Sequence, residues 1–434
     1  MTAEHLMADG APVDVVTVDG VPVDVPRVGR RSVRVLAAGQ GLGGIAVAGS
    51  LPAGSLLAAS IAGSEAAAGL AQTAGVLGAA LVALPMARVA LSRGRRPALS
   101  LGYGLGAVGA VLVIVGAVQA SLVTLLIGCL AVGSASAASY QARYAATDLA
   151  AADSRGRWLA WVVWAATIGA VLGPNLLGAS GALGSALSLP RLAGPYVLSA
   201  ACLAATVLAL WIWLRPDPYR VAVALRGAQA DRPPRLRDGL AHLRGRPRAI
   251  TGICVIAIGH VVMVMVMVMT PVHMAHVDVS LQVIGLVISV HVAGMYAFSP
   301  IVGWAVDRLG RLWVAWIGIA ILMIACVTAG LAPGTSQWQL GIGLFLLGLG
   351  WSCTLISGST LVTDETAAAE RPAVQGLSDL SMNAAGALGG AVAGVIVLTT
   401  SYAVLCGAAI LPLVGLAVVL ALPACRAHSN TRSI

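Results

Sequence analysis

Twelve apolar stretches run through this 434-residue chain, near positions 35–60, 65–88, 97–117, 120–146, 158–180, 193–214, 250–272, 281–304, 312–331, 337–362, 376–399 and 401–423. Polar residues collect in the short connections between them. A helix rises ~1.5 Å per residue, so about 20 apolar residues cross a ~30 Å hydrocarbon core. The pattern predicts an all-α integral membrane protein with 12 transmembrane helices. Gly and Ala are frequent inside the stretches, as expected where membrane helices approach backbone to backbone. Composition agrees: 59% of residues are apolar, 10% are charged and the mean hydropathy is +0.91, which excludes an ordinary soluble globule.

Charge adds orientation. Arg27, Arg30, Arg31 and Arg34 precede the first stretch, Arg93, Arg95 and Arg96 follow the second, and Arg155 and Arg157 follow the fourth. A dense set fills 215–249, and Arg308 and Arg311 follow the eighth. The intervening loops carry Arg191 alone. The positive-inside rule then places both termini and the 215–249 connection in the cytoplasm of a cell whose inner or plasma membrane holds the protein. The net charge of +9 is a topology signal. Its scatter over separate short loops leaves no basic face for nucleic acid.

The expected organisation is a flexible cytoplasmic tail (1–32), a six-helix half (33–214), an Arg/Pro-rich linker (215–249), a second six-helix half (250–424) and a short tail (425–434). Seven cysteines without CxxC spacing read as packing residues. The two halves are pseudo-symmetric, because one offset of 216 residues aligns Gly94-Arg95 with Gly310-Arg311, Thr147-Asp148 with Thr363-Asp364, Arg155 with Arg371, Gly173 with Gly389 and Gly178 with Gly394.

Gly303-Trp-Ala-Val-Asp307-Arg308-Leu-Gly310-Arg311 resembles the signature loop of the major facilitator superfamily, and the resemblance covers nearly the whole chain. It implies alternating access around a midplane site between the halves. It also implies gating roles for Asp307, Arg308, Gly310 and Arg311, and for Gly94 and Arg95 in the first-half copy. That copy departs from the pattern with Leu91 and Ser92 where Asp-Arg would stand. Gly169, Gly173, Pro174 and Gly178 resemble an antiporter motif; close helix packing with a proline kink is the preferred reading.

The cargo is not set by the fold. Spans 7 and 8 hold the distinctive chemistry: six of eleven Met and four of seven His lie between 260 and 295. At 100° per residue His260, Met263 and Met267 share one stripe, Met265 and Met269 another, and His291 and Met295 one face of the next span. Met263 and His291 both fall near mid-membrane. Neutral thioether and imidazole ligands suit Cu(I) and avoid burying charge in lipid. Met263-x-x-x-Met267 followed by His291-x-x-x-Met295 resembles the bacterial copper importers that supply cbb3-type cytochrome oxidase assembly. That resemblance implies a copper site at these four residues, with His260, Met265, Met269, His273, Met274 and His276 as accessory candidates. The competing reading of the same residues is apolar packing.

The first expectation is a secondary active copper importer, and the alternative is a carrier of a drug or small organic metabolite. Gln40, Trp161, Trp164, Asn175 and Asn383 are its sparse cavity candidates; Arg143 reads as lying near the cytoplasmic end of span 4. Asp379 is a candidate for gating, proton coupling or a helix cap. No nucleophile–base pair or phosphate loop points to an enzyme. The expected partners are the bilayer and a small solute, with copper as cargo, no resident cofactor and a monomeric state.

Overall fold

A computed structural model describes residues 15–18, 21–63, 66–225, 243, 245–275, 281–333, 335–368 and 370–421. Among them are 12 helices long and apolar enough to cross a membrane. Spans 1 to 4 are Val25–Ala62, Ala66–Arg93, Arg95–Val118 and Leu122–Ala145. Span 5 is Arg155–Asn175, resuming as Leu177–Ala186, and span 6 is Gly194–Trp213. A short helix, Pro218–Ala224, follows. Spans 7 to 12 are Pro247–Ala275, Leu281–Tyr296 with Ser299–Leu309, Arg311–Gly330, Gln337–Asp364, Arg371–Thr399 and Tyr402–Ala421.

Local sequence explains the interruptions. Span 8 breaks at Ala297-Phe298 because Pro300, in the first turn of the resumed helix, supplies no N–H to the turn before it. Span 5 is interrupted at Leu176, just past Pro174. Gly94 and Gly310, equivalent in the repeat, adopt φ of 99° and 97° as they start spans 3 and 9. A side chain there would be strained, which is why both copies of the turn keep Gly.

The Gly-rich motif of span 5 is a packing device. A Cβ on Gly44 would stand 3.1 Å from the Cα of Gly169, and one on Gly49 3.1 Å from the carbonyl oxygen of Gly173. Spans 1 and 5 therefore meet backbone to backbone.

The N-terminal segment departs from the flexible tail expected over 1–32. Val15–Val18 pairs antiparallel with Val21–Asp24, and the helix of span 1 already starts at Val25. Val16, Val18, Val23 and Val25 pack against Val28, Leu149, Val221 and Leu225. Asp24 caps span 1 by accepting from the Arg27 amide at 2.9 Å. Alternating Val and polar residues around Asp19-Gly20 are a hairpin signal that the segment's acidity and prolines obscured. The linker is likewise shorter than 215–249, since Pro218–Ala224 is helical and span 7 starts at Pro247. Residues 1–14, 226–242 and 422–434 lie outside the described residues.

The halves meet on a pseudo-two-fold axis. Thr147 Oγ1 lies 3.5 Å from Thr363 Oγ1, and Arg143 Nε donates to Ser359 Oγ at 3.2 Å. Each pair is separated by 216 residues, so repeat-equivalent positions touch one another.

Candidate transport site between the two halves

Two polar layers join the halves. The outer one lies at the Arg-rich end. Arg95 Nε bonds Asp148 at 2.8 Å, and the repeat-equivalent Arg311 Nε bonds Asp364 at 2.8 Å. The symmetry extends to backbone contacts: Arg155 Nε donates to the Ala150 carbonyl and Arg371 Nε to the Thr366 carbonyl. Arg155 also pairs with Asp364 and Arg311 with the Ala152 carbonyl, both across the halves. Arg95 reaches Gln375 across the other side. Asp307 accepts from the amides of Gly156 and Arg157, each at 2.9 Å, at the N-terminus of span 5. A carboxylate suits that position, where unpaired amides and the helix dipole favour negative charge. The structure thus brings Asp307, Arg311, Gly310, Gly94 and Arg95 together at this end. Arg308 points elsewhere, over the Trp304 ring at 6.0 Å.

The inner layer is buried. Arg143 on span 4 holds Asp379 on span 11 at 2.7 Å, with both side chains at most 2% exposed. Tyr144 and Ser378 bond across the halves at 3.0 Å, and Asn383 donates to the Asp379 carbonyl at 2.8 Å. The Arg143 guanidinium lies 4.7 Å from the Tyr144 ring and 5.5 Å from the Tyr140 ring. Arg143 Nη1 and Asp379 Oδ2 are buried without a hydrogen-bond partner. In the second half Trp351 donates from Nε1 to His260 Nδ1 at 3.0 Å and meets Tyr296 edge to face at 5.8 Å. Aromatic faces, a cation and a carboxylate from spans 4, 7, 8, 10 and 11 therefore occupy connected positions.

The two central histidines differ in what they offer. Trp Nε1 can only donate, so His260 Nδ1 accepts and its proton sits on Nε2. That tautomer leaves no free nitrogen lone pair, which removes His260 from the accessory metal candidates in this arrangement. His291 Nδ1 lies 2.8 Å from the Leu344 carbonyl and must donate, which leaves a lone pair on Nε2. That Nε2 is buried without a partner.

Met263, Met265, Met274 and Met295 sit in one apolar cluster with Leu344, Leu347 and Trp351, while Met267 and Met269 pack at its edge. The hydrogen bond of His291 Nδ1 is to span 10 and not to the Met263–Met267 stripe on span 7. Among the described residues no three His, Cys, Asp or Glu side chains converge on a metal-sized position. His273 stacks on Tyr402 with ring centres 4.4 Å apart, beside a cavity of about 310 Å³ at the Arg-poor end. His276 lies outside the described residues.

Several contributors escaped sequence reasoning. Trp351, Tyr140, Tyr144, Ser359, Ser378 and Gln375 carried no motif. The signal for Asp148 and Asp364 was present as the repeated Thr-Asp step, without a sign that each faces an arginine. Asp379, open between cap, gate and coupling group, is the partner of Arg143.

The family model of the Major Facilitator Superfamily matches residues 36–277 and 261–432. The chain is 39% identical over 376 residues to the uncharacterized MFS-type transporter YdeG of Bacillus subtilis, covering 86% of this chain and 87% of that one. It is 28% identical over 356 residues to the riboflavin transporter RfnT of Brucella anthropi, covering 81% and 85%. Among solved structures, the transporter FucP in its outward conformation superposes with a TM-score of 0.68 at 17% identity, over 92% of this chain and 99% of that one. These relatives lend nothing to the narrower resemblance to copper importers. Twelve spans, a two-fold repeat reproduced atom for atom in the Arg–Asp pairs, and matches along nearly the full length agree: the chain is a multi-pass membrane transporter, not an enzyme, and belongs to the Major Facilitator Superfamily.

Proposed function

We propose that this transporter carries a small aromatic organic solute across the plasma membrane by alternating access, with its Arg-rich face in the cytoplasm. The observation that carries the reading is the buried set Arg143, His260, Trp351 and Asp379 between the halves, flanked by the half-buried Tyr140 and Tyr296. Aromatic faces offer stacking, and Arg143 and Asp379 each keep one unused hydrogen-bonding atom. The relative named as a riboflavin transporter supports the class, a planar heteroaromatic with donors and acceptors on its edge. With the Arg-rich end closed by inter-half bonds, the site's access is from the opposite face, and the Arg143–Asp379 pair must part when access switches.

The test is uptake of riboflavin and a panel of aromatic metabolites into proteoliposomes containing the full chain. At least one is expected to accumulate, with a ten-fold or greater loss for Trp351→Ala at equal protein level. Transport of none of them, alongside copper-dependent accumulation, would remove the organic reading.

A second reading keeps copper as cargo. It rests on the buried, lone-pair-bearing Nε2 of His291 beside a cluster that contains the Met263 and Met295 thioethers. Its sign is cellular copper accumulation that rises with expression and falls in His291→Ala and Met263→Ala.

A further inference from the structure

The two lateral seams of the Arg-rich gate are related by the repeat but are not built alike. One seam joins spans 5 and 8, where a Cβ on Gly156 would lie 2.7 Å from the Gly303 carbonyl oxygen. The other joins spans 2 and 11, where a Cβ on Gly376 would lie 3.4 Å from the Ala83 carbonyl oxygen. The repeat maps Gly303 onto Ala87 and Ala160 onto Gly376, so the close approach is conserved in kind.

The carboxylate-to-amide bonds are not. On the 5/8 seam Asp307 crosses to the other half and accepts from Gly156 N and Arg157 N. The equivalents on the 2/11 seam are Leu91 in place of Asp307, and Pro372 and Ala373 in place of Gly156 and Arg157. Proline has no N–H, and the Ala373 amide already donates to the Glu370 carbonyl at 3.0 Å. Acceptor and donors have thus been lost together. A carboxylate restored at 91 alone would find no amide to hold.

The first half spends its carboxylate differently. Asp217 accepts from the amides of Arg95 and Arg96 at 3.1 and 2.7 Å and from those of Tyr219 and Arg220 at 3.0 and 3.4 Å. All four amides belong to Asp217's own half or to the helix that follows it. Asp217 therefore clips the end of span 6 to the start of span 3 and bonds nothing across the gate. Asp307 must release its amides each time the halves separate; Asp217 keeps its own.

We propose that the gate opens unevenly: the seam between spans 2 and 11 parts more readily, and the Asp307 latch on span 5 holds the other seam until last. Asp307 is then a positioning residue that sets which seam yields, and Leu91 with Pro372 marks the weak one.

Hydrogen–deuterium exchange of the full chain in lipid nanodiscs tests this. The readout uses peptides opposite the capped amides, so that local capping does not enter: the end of span 8 (299–306) for one seam and the end of span 2 (83–91) for the other. A charge-assisted backbone bond shifts an opening equilibrium by about ten-fold or more. The span 2 end is therefore expected to exchange roughly ten-fold faster than the span 8 end. Asp307→Ala should abolish that difference by speeding the span 8 end. Leu91→Asp alone should protect neither seam, whereas Leu91→Asp with Pro372→Ala should slow the span 2 end. Equal exchange at both seams in the native chain, a difference that survives Asp307→Ala, or full protection by Leu91→Asp alone would each overturn the proposal.

Discussion

At the Arg-rich end, Arg95, Arg143, Arg155 and Arg311 each hold a carboxylate, and Arg143 and Arg155 do so on the opposite half. In the membrane-spanning core of the second half, Met263, Met265 and Met295 sit in an apolar cluster with Leu344, Leu347 and Trp351. The difference separates what a transporter must break from what it can keep. A buried ion pair repays its desolvation only in one geometry, so an inter-half pair is strong in one state and costly in the other. Thioether and leucine contacts are non-directional and survive rearrangement. The polar layers therefore define the state, and the Met-rich core holds the second half together through the cycle.

The largest expected effect comes from uncoupling the buried pair. Arg143→Ala leaves the Asp379 carboxyl almost fully buried without its cation, with an expected loss of about 3–5 kcal/mol of stability. Thermal unfolding in nanodiscs measures it. Removing both partners, Arg143→Ala with Asp379→Ala, should recover most of that loss while transport stays abolished. If the double variant is no more stable than the single, the pair is not the interaction that matters there.

A smaller effect is expected at Asp364, which serves both Arg155 and Arg311 but is 23% exposed. Asp364→Ala should cost about 1–2 kcal/mol, less at high salt, because water and ions screen this layer. The same salt change should leave the Arg143–Asp379 contribution nearly untouched. Equal salt sensitivity of the two would erase the distinction between outer and inner layers.

Much of this contrast was legible in the sequence where the repeat made it redundant. Gly94 and Gly310 were paired by offset, and both need positive φ. Thr147-Asp148 and Thr363-Asp364 were paired by offset, and both carboxylates meet the arginine that opens the preceding span. The axis contact between Thr147 and Thr363 follows from the same number. What the offset could not reveal was contact between unlike residues. Asp379 with Arg143, and His260 with Trp351, join positions 236 and 91 residues apart with no motif to link them. Composition alone could not separate ligands from packing: Met and His in quantity suggested ligands, and which nitrogen His260 offers depends on an indole N–H on another span. The hairpin was hidden for a related reason, since its acidic residues outweighed its alternation.

Within the Met-rich core, Met263→Leu and Met265→Leu preserve volume and are expected to cost less than about 1.5 kcal/mol each. As packing residues, both substitutions should also leave transport within two-fold of the native rate. A loss of copper accumulation in Met263→Leu with unchanged unfolding temperature would instead assign the thioether to cargo and return this region to the side of residues that act.

The smallest expected effect is at the N-terminal hairpin, and it tests whether apolar docking at the Arg-rich end belongs with the gate or with the scaffold. Val16 and Val18 are half-buried against Val221 and Leu225 on the same half, and Thr17 between them faces outward. Val16→Thr replaces a methyl contact with a hydroxyl and should cost about 0.5–1 kcal/mol, felt locally. Limited proteolysis within residues 1–24 should therefore quicken a few-fold, with the global unfolding temperature shifted little and the transport rate unchanged. Thr17→Val, at the outward position, should alter neither. The hairpin contacts Leu149, next to Asp148 of the Arg95 pair, so a transport rate that falls with Val16→Thr would mean that docking tunes the gate through that loop. An unchanged rate places the hairpin with the apolar scaffold, which is the expected result because none of its packing partners belongs to the second half.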